Sequence, residues 1–541
     1  MRVLVWTAVL SSAAMMIGSA LAADAPDRAR RPWIDLKLCA DEEARQTEAY
    51  GGKWHWESGK YCDHAIVLDK DGLLLPWTTY DNILKGSMKF IEQCPTVPTK
   101  YGDDPWYMVT SALTDDGKFM RNQNCQGNHA YMGVETLTRY YAYSGDEAAI
   151  VPIRRILDRV LLYHTPADWA WPNVPRTQDN SPDGEYTDTY SEPDKIAAAG
   201  VAYIKFYKLT GEEKYLEAAR GIAKTIASHV AEGNADASPL PFRVSLQDGK
   251  VLVPYTSHIV ASVLLLDEMV RLGETGDGVY QAKRDLLRKW VLDYPVKNRL
   301  WANYYEDVKD STQENRNQHS PMETARFMLQ RPELDPDYRQ HVPALLAWVK
   351  DRFGKARRHG ATSIREQDGC FSEMGSHTAR YASIAAMWFG ASQDPQYREE
   401  AKRSFAVASY SAFSKYSHDD VAINYVGLGY VRPWFTDSYF DYLTHILDGM
   451  REMPEMAPAD ADHIVGSDSI VKKVTYQPGR IEYTTFEPQG NEILRVTFQP
   501  KTVTADGKEL PVAKWSYGEY RGVPGVLQIH RDATKNVVIA K

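Results

Sequence analysis

The sequence predicts a mainly α chain: a ring of helical hairpins, an (α/α)6 toroid, followed by a small C-terminal β-sandwich-like domain. Three observations predict it. A turn that leads into an acidic, aromatic helix start recurs along the chain, the helices on either side of that turn differ in kind, and the texture changes after Met450. The turn reads Ser144-Gly145-Asp146, Thr210-Gly211-Glu212-Glu213-Lys214-Tyr215, Asp335-Pro336-Asp337-Tyr338 and Asp394-Pro395-Gln396-Tyr397, with a weaker copy over 275–280. Successive copies stand roughly 60 residues apart, a period that signals an array of supersecondary units.

Each unit reads as two helices. The stretch before the turn is small and apolar nearly all round, as in 196–203 and 259–266, which assigns it to a buried inner wall. The stretch after the turn is amphipathic and charged, as in 215–222 and 397–404, which suits an outer wall. Inner helices are predicted near 129–143, 194–209, 256–272, 320–330, 375–391 and 437–450, and outer helices near 80–93, 147–163, 212–230, 279–293, 336–353 and 396–416. The long, uneven loops before the inner helices favour a closed ring with a cleft over an open solenoid.

Beyond the ring, 451–460 reads as a Pro- and Met-containing linker, and 461–541 carries short alternating runs punctuated by Pro478-Gly479 and Asp506-Gly507. At the other end, Met1-Arg2, an apolar stretch to Ile17 and Ala20-Leu21-Ala22 form a secretory signal peptide over 1–22. Residues 23–79 read as an irregular N-terminal segment, and no later stretch is long and apolar enough to span a membrane. The expected location is therefore secreted or periplasmic. The five cysteines (Cys39, Cys62, Cys94, Cys125 and Cys370) then permit one or two disulfides.

A net charge of -9 without a basic block argues against nucleic acid as a partner. With 33 Tyr and 14 Trp, the chain is rich in flat faces of the kind that stack on sugar rings. Histidine is placed in a pattern: His129, His258, His319 and His377, four of the 14, fall at or near inner-helix starts. In a toroid those starts converge on one end of the central cavity, where the helix dipole lowers a histidine's pKa and favours anions. Such an imidazole stays neutral and able to accept a proton. Two inner helices also share Thr-Ala-Arg-aromatic, at 324–327 and 378–381.

With its alternating helices and Thr-Gly-Glu-Glu-Lys-Tyr-type turns, the chain over roughly 80–450 resembles the toroid polysaccharide lyases and the six-hairpin glycosidases. Asn128-His129 with Tyr131 is similar to the Asn-His pair of the uronate lyases, where Asn binds the carboxylate and His takes the C5 proton. The resemblance implies a polysaccharide or oligosaccharide substrate containing uronic acid and cleavage by β-elimination. A neutral base, a tyrosine acid and groups that neutralise the carboxylate are what that reaction requires. The expected catalytic set is His129, His258, His377, Tyr255 and Tyr439. Asn128, Tyr131, His319 and Arg380 are expected to bind substrate, with Trp171, Trp301 and Trp434 as sugar platforms.

The rival expectation is inverting hydrolysis by two carboxylates. Its candidates lie in loops before inner helices (Glu185, Asp188, Glu192, Asp194, Glu366 and Asp368) and at Glu323, with Glu373 and Asp437 preferred because neither has an evident structural duty. Glu192-Pro193-Asp194 reads as a helix start. A glycan-binding protein without catalysis is the third alternative. No cofactor is expected; a divalent metal is possible from four histidines and nearby acids, but no HxH or HExxH spacing favours it.

Overall fold

The computed structural model describes residues 60–61, 64–109, 112–113, 126–177, 189–304, 316–354, 357–368, 370–413, 423–424, 434–435 and 439–541. Twelve helices form the ring: α1 (Tyr80–Glu92), α2 (Gln126–Ser144), α3 (Ile150–Leu161), α4 (Pro193–Thr210), α5 (Glu213–His229), α6 (Val260–Arg271), α7 (Val279–Val291), α8 (His319–Gln330), α9 (Tyr338–Phe353), α10 (Gly375–Ser392), α11 (Pro395–Ser409) and α12 (Asp441–Glu452). Even-numbered helices are inner and odd-numbered ones outer. Each inner helix packs on the next, α2 on α4 and so on to α10 on α12, and α12 returns to α2, which closes the ring. Every strand pairing is antiparallel among the described residues.

Local chemistry sets the helix ends. Inner helix α4 starts at Pro193, whose missing N–H is one of the unpaired donors of a first turn, and ends at Gly211, whose φ of +79° completes a left-handed cap with its N–H on Tyr207 O at 2.7 Å. Outer helix α11 begins with Asp394 accepting from the N–H of Gln396 at 2.9 Å and Pro395 in the first turn. Along α4, Ile196 through Ile204 are all buried, so it carries no stripe facing the outer solvent. Outer α5 buries only Tyr215, Leu216, Ala219, Ile222, Ala223 and their like on one stripe.

The second domain packs two sheets face to face. Its strands are β1 (His463–Ser467), β2 (Val471–Gln477), β3 (Arg480–Thr485), β4 (Gly490–Arg495), β5 (Thr502–Ala505), β6 (Lys508–Glu509), β7 (Trp515–Tyr520), β8 (Val523–Arg531) and β9 (Asn536–Ala540), ordered β1-β4-β8-β7 and β2-β3-β9-β5-β6. Alternate residues turn inward, such as Ile481 and Tyr483 of β3 or Val537 and Ile539 of β9. Inside, Arg531 grips Glu492 with two 2.7 Å bonds and Tyr483 adds a third at 3.1 Å.

This domain sits on the C-terminal ends of the inner helices. Strands β1 and β2 pack on α2, β1 on α12 and β2 on α4. His463 stacks on Tyr143 at 3.9 Å and bonds its carbonyl at 2.8 Å, and Lys208 reaches Glu487 at 2.7 Å. One end of the ring is therefore covered, and the inner-helix N-termini face the other way.

Residues 1–22, Cys39, Cys62 and Cys125 lie outside the described residues. Cys94 is a free, buried thiol, pushed up to about 12 by burial. No helix among the described residues is long and apolar enough to cross a membrane.

Candidate functional site

Four inner helices open together around a cavity of about 520 Å³, including the part open to solvent. Asn128, Tyr131 and Met132 line it from α2, Asp194, Lys195, Ala198 and Val201 from α4, Val260, Ala261 and Leu264 from α6, and His319, Glu323, Arg326, Phe327 and Gln330 from α8; His258 and Tyr304 complete the wall. Close approach of α2 to α4 requires a glycine: a Cβ on Gly127 would stand 2.6 Å from the carbonyl oxygen of Lys195. That contact sets Asn128 beside Lys195.

Two loops stitched together hold His258 and Tyr304. Ser257 places its N–H and its hydroxyl on Ala302 O, at 2.9 and 2.8 Å, and Asn303 returns a bond from its side chain to Tyr255 O at 2.9 Å. The N–H of His258 donates to Thr256 Oγ1 at 3.1 Å. Tyr304 then lies flat on His319 at 3.7 Å between ring centroids, and His258 meets His319 edge-on at 4.9 Å. Lys195 Nζ stands 3.7 Å over the Tyr304 ring, donates to Tyr304 O at 2.9 Å and pairs with Asp194 at 2.8 Å. Behind it, Glu192 accepts from Arg243 at 2.8 Å.

Burial, aided by Lys195 and Arg380, holds His258 well below the ordinary histidine range, and burial with Arg380 does the same for His319. Both imidazoles are neutral at pH 7. His258 Nδ1 has no hydrogen-bond partner among the described residues. Burial raises Asp194 to about 6, with Glu192 adding to it and Lys195 opposing it. Tyr131 is pushed well above its ordinary value by burial, so it keeps its proton.

Below the mouth, a closed cycle of charged bonds joins α8, α10 and α12. Arg380 donates to Glu323 at 3.0 Å and to both oxygens of Asp441 at 2.6 Å, Asp441 accepts from His445 Nε2 at 2.9 Å, His445 Nδ1 accepts from Arg326 at 2.8 Å, and Arg326 returns to Glu323 at 3.2 Å. Arg380 also donates to His377 Nδ1 at 2.9 Å, which assigns the His377 proton to Nε2. Burial, then Arg380, keeps His377 well below its ordinary value.

The structure therefore separates the residues that the sequence grouped. Asn128, Tyr131, His258 and His319 line the cavity. His377 and Arg380 belong to the buried cycle, so the guanidinium expected to bind a substrate carboxylate is committed to Glu323, His377 and Asp441. His129 is fully buried with its ring 5.3 Å from Phe440, away from the lining. Tyr255 turns its hydroxyl to Leu300 O at 2.6 Å and its ring to Trp290 of outer helix α7. Tyr439 is buried against Phe90 of outer helix α1.

Two platforms need correcting: Trp171 is 1% exposed and stacked on His229 at 3.9 Å, and Trp301 is 0% exposed, so neither offers a face to a sugar. Glu373 has a structural duty after all, accepting from Ser363 at the start of α10. Asp368 is held by Arg352 at 2.6 Å. Asp437, Glu185, Asp188 and the side chain of Trp434 lie outside the described residues.

Lys195 and Tyr304 escaped the sequence reading, and Asp194 entered it as a candidate carboxylate for hydrolysis that also reads as part of a helix start. One signal was available: a lysine in the first turn of a helix opposes the dipole, so Lys195 needed an acidic neighbour or a function. No group of His, Cys, Asp and Glu suited to a metal ion occurs among the described residues.

No protein-family model matches the sequence, and no curated protein does. Among solved structures, the chain is similar to cellobiose 2-epimerase from Spirochaeta thermophila at 11% identity, covering 70% of this chain and 95% of that one with a TM-score of 0.48. An unsaturated glucuronyl hydrolase specific for heparin matches at 12% identity over 69% and 98% of the two chains, TM-score 0.46. An α-mannanase from Bacteroides thetaiotaomicron matches at 12% identity over 70% and 98%, TM-score 0.48. The likeness is one of helical arrangement, and the closed circuit of inner-helix contacts establishes the toroid in this chain directly.

Proposed function

We propose that the protein is a carbohydrate-active enzyme that cleaves a uronic-acid-containing glycan by β-elimination in this cavity. The observation that carries the reading is the pair His258 and His319, 4.9 Å apart and both held neutral by burial. A neutral imidazole keeps a lone pair for the proton at C5, which a carboxylate left unneutralised would make too weak an acid to remove. Asn128 lines the same cavity and offers its side-chain amide to that carboxylate. As the C5–H bond breaks, its electrons form the C4–C5 double bond and expel the C4 oxygen, which takes a proton from the Tyr131 hydroxyl.

One observation favours hydrolysis as a second reading. Burial pushes Asp194 above the ordinary carboxylate range, the direction a general acid requires, against the opposing pull of Lys195, and Glu323 is a second carboxylate on the same wall. The two readings differ in their products. Incubation with a panel of uronate polysaccharides, followed by ultraviolet absorbance and reducing ends together, should give an absorbing conjugated product in step with new ends. New reducing ends without that absorbance would rule out elimination and leave hydrolysis.

A further inference from the structure

Lys195 breaks the ordinary rules of a helix. It stands in the first turn of α4, where a cation opposes the dipole, and it is 3% exposed. The three protons of its ammonium group all face protein oxygens: Asp194 accepts at 2.8 Å, the Tyr304 carbonyl at 2.9 Å, and Glu192 lies 3.3 Å away. A substrate carboxylate would have to displace one of these partners. A buried ion pair does little for stability that well-packed apolar side chains would not do, so the fold alone gives no reason for this one.

The ammonium group also touches the face of Tyr304. Lys195 Nζ stands 3.7 Å from the centre of that ring, and His319 is stacked on it at 3.7 Å with 10° between the planes. Two groups that close to one ring centre cannot share a face, so Tyr304 is held between the cation on one side and the imidazole on the other. The cation–π contact and the bond to the Tyr304 carbonyl fix ring and backbone together. His258 meets both rings edge-on, Tyr304 at 4.7 Å and His319 at 4.9 Å. The backbone of Lys195 is itself held in place by α2, since a Cβ on Gly127 would stand 2.6 Å from its carbonyl oxygen.

We infer that Lys195 is a positioning residue: it contacts no substrate and acts through Tyr304, pressing that ring on His319 so that the imidazole keeps one plane beside His258. The inference rests on the reading that these two imidazoles carry the elimination. The arrangement has an electrostatic consequence. Burial comes first in lowering both imidazoles, and the Lys195 charge lowers them further, alongside Arg380 for both and His377 for His319. Removing that charge moves both upward while Arg380 and His377 stay in place. Asp194 rises with them, because Lys195 is what opposes its burial.

The test is the pH dependence of kcat and KM on the uronate polysaccharide that the enzyme cleaves. Lys195→Met should lower kcat about ten- to hundredfold, the scale of a misplaced reacting group, with KM within about twofold. It should also move the acid limb of kcat/KM to higher pH. Lys195→Gln, which keeps an N–H donor for the Tyr304 carbonyl, guards against a variant that fails to fold and should show the same shift. Lys195→Arg, which keeps a cation against the ring, should leave the limb where the wild type has it. An acid limb that the neutral variants leave unmoved would overturn the inference. So would a KM raised about tenfold or more at unchanged kcat, because Lys195 would then grip the substrate itself. Wild-type product without ultraviolet absorbance would instead end the elimination reading and take this role with it. An absorbing product with an unmoved limb would end the role alone, so the two failures are distinguishable.

Discussion

Two clusters of histidine, carboxylate and base lie among the inner helices, one at the mouth and one deeper, and their bonding differs. In the deeper cluster Arg380 spends its nitrogens on Glu323, His377 and Asp441, while His445 is fixed at both ring nitrogens by Arg326 and Asp441. At the mouth the imidazoles touch Tyr304 and each other by their faces and edges, and His258 Nδ1 lacks a partner among the described residues. The same residue types thus cross-link helices in one place and face a cavity in the other. Recurrence at helix openings locates a residue on the inner wall; the bonds that its neighbours make decide whether it is available to a ligand.

The largest expected effect would separate the clusters by stability. Arg380→Met leaves Asp441 and Glu323 buried with less compensation, and breaking a buried pair in this way costs about 3–5 kcal/mol. Denaturant unfolding should show it. His258→Gln, by contrast, should cost under about 1 kcal/mol in the same experiment and lower turnover by about a hundredfold or more, the scale of a lost proton-transfer group. If Arg380→Met unfolds at the wild-type midpoint, the deeper cluster is not the structural one. A His258→Gln enzyme with full turnover would remove that side chain from the chemistry.

The ring was readable in the sequence because its two walls obey different solvation rules. All twelve predicted helices occur, since an apolar run such as 196–204 and a one-sided stripe such as 215–227 leave different patterns. Errors fall at ends governed by tertiary contacts. Helix α6 starts at Val260 rather than near 256, because residues 255–258 are tied to 300–304 instead of joining the helix. The same tie explains why Tyr304 was invisible: its place beside His319 depends on a loop folding onto another loop, which no local period encodes. Trp171 and Trp301 fail as platforms for a related reason, because aromatic identity says nothing of which way a ring turns. His129 and His377 share the sequence position of His258 but differ in the neighbours that helix packing gives them.

An intermediate effect tests what the clusters have in common. Burial is the leading cause of the depressed values at His258, His319, His377 and His445 alike. Each unfolded histidine binds a proton near its ordinary value of 6.5, whereas each folded one does not. Stability is therefore complete above about pH 6.5 and falls as the pH drops below it, by up to about 1.4 kcal/mol per pH unit for each histidine. Glu268 adds a second window. Burial raises it, but Lys208 and Arg331 outweigh burial and bring it to about 2, so its contribution is present above 4.5 and is lost between there and 2. Thermal unfolding from pH 8 to pH 4 should show the fall beginning near 6.5, and His445→Gln should flatten it. A melting temperature that is flat between pH 7 and pH 5 would mean that these imidazoles take up protons in the folded ring and that the clusters are less dry than their burial indicates.

The smallest effect is expected at the floor, where the ring meets the β domain. Glu487 accepts from Lys208 at 2.7 Å and from the N–H of Ile470 at 3.2 Å, and it also accepts the Ser469 hydroxyl. Its side chain is 32% exposed, so water screens the pair, and Lys208 keeps Glu268 when Glu487 loses its charge. Glu487→Gln preserves the shape and the bond to Ile470, and should therefore cost about 1 kcal/mol or less in denaturant unfolding. Turnover should not change, because the residues proposed to contact substrate stand at the opposite end of the inner helices, and the ion pairs of Glu135, Arg139 and Asp448 lie between. A tenfold or larger loss of turnover at unchanged stability would show that the floor is coupled to the mouth through α4, the helix that carries Lys208 at one end and Asp194-Lys195 at the other. The division into a structural depth and a reactive mouth would then have to give way to a single unit running the length of that helix.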